Sequence, residues 1–82
     1  MRFTVTWHSS AEQELADIWL RVTDRAAIAT AANVIDQLLA SDPLTHGEEF
    51  YGERILVATP LAVTYSVSEL DRIVRILQVW HG

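Results

Sequence analysis

The side chains able to do chemistry here are few. Six arginines, no lysine and three histidines stand against eleven carboxylates, for a formal charge of −5. Arginine holds anionic oxygens, histidine moves protons near neutral pH, and a carboxylate can act as a base. There is no cysteine, which excludes a disulfide framework and a thiolate metal site. His8, His46 and His81 lie far apart along the chain, without the spacing of metal ligands, so no metal and no cofactor is expected. Glu48, Glu49 and Glu53 cluster, but three acids beside a phosphate would repel it, and they read as a solvated loop. A protein that grips nucleic acid normally carries a basic patch. Any such patch must be built here from very few arginines.

These groups need elements to position them. At 82 residues, the chain is expected to be a single domain over 1–82. A domain this small buries only about 60–65% of the surface exposed by its unfolded chain. Half of the residues are hydrophobic, rich for that size, so part of the apolar surface is expected to meet a partner. No apolar run is long enough to span a membrane and no signal peptide is evident, so a cytoplasmic protein is expected.

Residues 2–7 alternate, with Phe3, Val5 and Trp7 on one side, the period of a half-buried strand. Ser9 and Ser10 are each followed three residues later by Glu12 or Gln13, a capping-box spacing that predicts a helix start. Ala11, Leu15, Ile18, Trp19 and Val22 continue at helical spacing to about residues 21–22. Asp24 then caps a second helix through about Ala40, with an apolar stripe of Ile28, Ala31, Ala32, Ile35, Leu38 and Leu39. Its alanines let the helices approach closely. Asp42-Pro43 ends it, and the short link between the helices implies an antiparallel hairpin. Residues 44–49 read as a loop, and strand-like runs follow at about 51–58, 61–67 and 72–80. Their links are short enough only for hairpins. The order is β-α-α-β-β-β: an α+β fold, an antiparallel sheet with a helical hairpin packed on one face.

Three segments resemble the RelE/ParE superfamily of toxins. They are Ser-Ser-Ala-Glu-Gln-Glu-Leu-Ala-Asp-Ile-Trp from Ser9 to Trp19, Gly52-Glu53-Arg54 leading into residues 60–67, and residues 71–77 ending in Val79-Trp80-His81-Gly82. The first is similar to the opening helix of the ParE-like, plasmid-stabilisation branch. The resemblance implies the toxin of a type II toxin–antitoxin system, with a cognate antitoxin as partner. RelE-like members cut messenger RNA on the ribosome without a metal; ParE-like members inhibit DNA gyrase; a degenerate member would keep only antitoxin binding. RNA cleavage would need a base for the ribose 2′-hydroxyl, positive charge on the phosphate and an acid for the leaving oxygen. The resemblance places Arg54, Arg75 and His81 as the candidate catalytic residues, with His81 as general acid. A basic residue commonly occupies the position matched by Ala62, so the basic site is incomplete.

Alternation sends Leu61, Val63, Tyr65 and Val67 toward the helices and Ala62, Thr64 and Ser66 outward. In the simplest hairpin register Arg54, Thr64 and Arg75 share a row on the outer face. Leu56, Ala62 and Leu77 form the next row, and Val79 and His81 continue that face. A bulge would shift this register by one residue and swap faces. Even within it, the six residues from Arg75 to His81 span roughly 20 Å, too far to grip one phosphate. Outward Leu56, Ile73, Leu77 and Val79 would suit a partner segment laid on the sheet. Arg72 reads as surface charge, and Trp7, Trp19 and Trp80 as core anchors.

Overall fold

The computed structural model describes residues 2–45, 48–50 and 52–82. His46 and Tyr51, assigned above to the loop and to the start of a strand, lie outside the described residues. The elements are β1 (Thr4–Trp7), α1 (Ser9–Arg21), α2 (Arg25–Ser41), β2 (Glu48–Phe50), β3 (Glu53–Ala58), β4 (Leu61–Ser68) and β5 (Ile73–His81). The expected α+β order is observed, with one strand added: Glu48 and Glu49, expected in a loop, belong to β2, which pairs antiparallel with β3. Gly52 takes a φ of 82° in the turn between them, a conformation open to glycine at no steric cost.

The strands lie in the order β1-β5-β4-β3-β2. The β3–β4 and β4–β5 pairs are antiparallel, as expected, and the added β2–β3 pair is antiparallel as well. β1 instead runs parallel to β5, which the helical crossover makes possible. Pairing between the first and last strands is the least local contact of the fold, and no turn signal announces it.

One face of the sheet carries the core. Leu56, Leu61, Val63, Tyr65, Val74, Ile76 and Val79 bury there against Ala11 and Ile18 of α1 and Ile28, Ala31, Ile35 and Leu39 of α2. These helical residues recur at the spacing of one face. At roughly 25 cal/mol per Å² of apolar area, this contiguous cluster is the main source of stability. α1 packs chiefly on β5, while α2 lies over β1, β3 and β4.

The helix ends follow the sequence in one case and not in the other. Asp24 caps α2 as expected, its Oδ1 accepting from the Ala27 N–H at 3.1 Å. At α1 the cap is neither serine: it is His8, whose ring Nδ1 accepts from the Ser10 N–H.

The helices do not close on each other as their alanines suggest. An open hollow of about 670 Å³ lies between them, lined by Trp7, Leu15, Ala16, Trp19, Leu20 and Ala32, with Glu12 and Asp36 among its walls. Trp19 is 39% exposed there and Trp80 44% exposed elsewhere, so two of the three tryptophans are surface residues rather than core anchors. Trp7 is half-buried, and its indole N–H donates to Asp36 Oδ1 at 3.0 Å.

Candidate functional site

The outer face of the sheet is set by two registers. Thr59-Pro60 closes the β3–β4 hairpin with Ala58 opposite Leu61, which puts Arg54 opposite Tyr65 and Ile55 opposite Thr64. Along β5, Tyr65 faces Ile76 but Thr64 faces Gln78, so Leu77 is an extra residue, a bulge. The outer rows are therefore Val57–Ala62–Trp80, Ile55–Thr64–Gln78 and Ser66–Arg75–Thr6.

This overturns the expected row of Arg54, Thr64 and Arg75. Arg75 does lie on the outer face, exposed, but beside Ser66 rather than Thr64. Arg54 is on the helix side. A hairpin closed one residue away from the assumed register moves every side chain of β3 to the opposite face. Leu56 and Val79, expected outside, are core residues for the same two reasons, the turn and the bulge. His81 stands opposite Leu61 at the end of β5, also on the helix side. It borders shallow depressions shared with Arg21 and Asp24 and with Glu14 and Asp17. From the Arg54–Tyr65 pair to the Leu61–His81 pair is four residues along β4, about 13 Å. The three candidate residues thus occupy three separate places, and no single phosphate can touch them together.

Arg54 has a structural setting. Its guanidinium donates to the Leu44 carbonyl at 2.8 Å and hydrogen-bonds Tyr65. It also stands 4.0 Å from Glu49 Oε2, a carboxylate too exposed for that pair to add much stability. The fully buried Tyr65 sends its hydroxyl to the Pro43 carbonyl at 2.8 Å. Together the two side chains tie the turn after α2 to the middle of the sheet. Burial raises the Tyr65 pKa, with the hydrogen bond and charge of Arg54 acting in the opposite direction.

The outer face has the reverse character. Ala62 presents a methyl group between Val57, 66% exposed, and Trp80. Thr64 is buried under its neighbours, and among the described residues its hydroxyl has no partner. The described residues contain no group of three His, Cys, Asp or Glu side chains able to hold a metal ion. No described helix is long and apolar enough to cross a membrane.

The position of the bulge, the Arg54–Tyr65 tie, the cap at His8 and the apolar row through Ala62 were not read from the sequence. The exposed row was readable in part, since Ala62 was assigned outward. The bulge was not, because no glycine or proline marks it.

No family model matches the sequence, and the curated proteins contain no match. Solved structures do match. The chain is similar to a chain of the RelBE2 toxin–antitoxin complex from Mycobacterium tuberculosis, with a TM-score of 0.84 and 20% identity over 100% of both chains. It is similar to a chain of a chromosomal ParDE system from P. aeruginosa, with a TM-score of 0.67 and 18% identity over 98% of this chain and 96% of that one. A chain of the archaeal RelE–RelB complex from Pyrococcus horikoshii gives a TM-score of 0.69 and 17% identity over 99% and 96%. The chain has the RelE/ParE-like fold.

Proposed function

We propose that this chain is the toxin of a toxin–antitoxin pair and that it works by protein contact rather than by cutting RNA. The observation that carries this reading is the dispersal of Arg54, Arg75 and His81 over separate places, with Ala62 on the outer face. Electrostatic stabilisation of a phosphate transition state needs donors converging on one position, and these do not converge. The fold supports the toxin assignment, since structures of this shape were solved as toxin–antitoxin complexes. The surface offered to the antitoxin is the hollow between α1 and α2. Its apolar lining suits an amphipathic segment, and Glu12 and Asp36 favour one that carries a flanking lysine or arginine.

Expression under tight induction, without an antitoxin, tests the reading. Growth arrest with intact messages, relieved by co-expression of an antitoxin encoded beside the gene, is the expected result. Relaxed plasmid in the same cells would identify gyrase as the target. Message cleavage that disappears in Arg75→Ala or His81→Ala would instead establish an endoribonuclease. Unimpaired growth with folded protein would leave antitoxin binding alone.

A further inference from the structure

α1 begins on a histidine although two serines follow it. His8 Nδ1 accepts from the Ser10 N–H at 3.2 Å and lies 2.9 Å from Ser10 Oγ. That hydroxyl in turn reaches the carbonyl of the bulge residue Leu77 at 3.5 Å. The backbone of His8 holds it in place from both sides. Its N–H donates to the Ile76 carbonyl at 2.8 Å, and its carbonyl accepts from the Glu12 N–H at 2.9 Å.

A backbone N–H can only donate, so Nδ1 must accept, and that requires the neutral ring with its proton on Nε2. Serine, threonine and asparagine, the usual residues at this position, keep their acceptor at any pH. Histidine does not. A proton on Nδ1 turns the acceptor into a donor aimed at another donor, and it sets a positive charge at the positive end of the helix dipole. The protonated ring still has a partner. Nδ1–H can donate to Ser10 Oγ, whose own hydrogen is then free for the Leu77 carbonyl.

We propose that His8 is a proton-operated joint between α1 and the β5 bulge. The neutral ring caps the helix. The protonated ring releases the cap and, through Ser10, tightens the contact to the bulge. The strand β5 is held by α1 a second time, where Glu14 Oε1 accepts from the Val79 N–H at 3.4 Å, so uncapping loosens the first turn without detaching the helix. Charged residues on the elements beside it include Glu12, one turn along α1, and Arg75, opposite Thr6 on β5. Glu12 also lines the hollow between the helices, so the joint reaches that surface, although the inference does not depend on what docks there.

The test uses the full chain, followed by amide NMR and thermal melting from about pH 8 to about pH 5, where histidines ordinarily take up a proton. His8→Asn supplies an acceptor that does not titrate. Relative to that variant, the wild-type Tm is expected to fall by about 4–8 °C as pH drops, the equivalent of one lost cap. The protection of the Ser10 amide, its exchange rate taken relative to the unprotected chain at the same pH, should fall about five-fold over the same range, and should stay level in His8→Asn. His8→Ala should melt low at both ends of the range. Parallel falls in wild type and His8→Asn, or a Ser10 protection that ignores pH, would overturn the proposal. So would a His8→Ala variant as stable as wild type at about pH 8.

Discussion

The two faces of one sheet treat their polar groups in opposite ways. On the helix side, Tyr65 and Arg54 reach the carbonyls of Pro43 and Leu44, and Trp7 reaches Asp36. On the outer side, the Thr64 hydroxyl has no partner among the described residues and Arg75 is exposed. Apolar side chains, Val57 and Trp80, flank the central Ala62. An arginine's chemistry here is decided by its face. A register change of one residue turns Arg54 from a candidate phosphate ligand into a tie for the turn after α2.

If that contrast is right, damage on the helix side unfolds the protein and damage outside does not. Tyr65→Ala should have the largest effect. It empties a fully buried aromatic site, at a cost of about 3–5 kcal/mol, measurable as a lower midpoint in urea. Arg54→Ala comes next, at about 1.5–3 kcal/mol, the range for a hydrogen bond made by a charged group. A change near zero there would mean that Arg54 is not structural, and would reopen its assignment to chemistry.

Tyr65→Phe is milder, about 1 kcal/mol for one hydrogen bond, and it carries a signature in pH. Burial raises the Tyr65 pKa in the folded state, so the folded protein holds that proton to higher pH than the unfolded chain. Its contribution is complete below the ordinary tyrosine value of about 10 and declines as pH rises above it. Stability of the wild type should therefore fall more steeply than that of Tyr65→Phe in alkaline urea titrations. On the outer face, Arg75→Ala should move the midpoint by no more than about 0.5 kcal/mol. A larger loss there would erase the contrast.

Much of this layout was legible in the sequence, and the exceptions have physical causes. The stripe of Ile28, Ala31, Ile35 and Leu39, and the Asp24 cap, were readable because helical period and capping are local properties. The outward placement of Ala62, Thr64 and Ser66 followed from alternation within one strand. The side taken by Arg54 did not, since it depends on which residues close the turn at Thr59-Pro60, and a slip of one position reverses the answer. Val79 and His81 were misplaced by the bulge at Leu77, which no local residue announces. Trp19 fits the helical period of α1 but sits at the edge of the stripe, where the open hollow leaves it exposed. His8 was passed over because serine is the commoner cap, and only the observed Nδ1 geometry distinguishes the two.

Whether the protein acts by contact or by cutting RNA is tested most directly by adding purified chain to actively translating ribosomes and mapping the 5′ ends of the message. The dispersed arrangement of Arg54, Arg75 and His81 predicts a message as intact as in a buffer control. Cleavage at defined positions, abolished by Arg75→Ala, would contradict it.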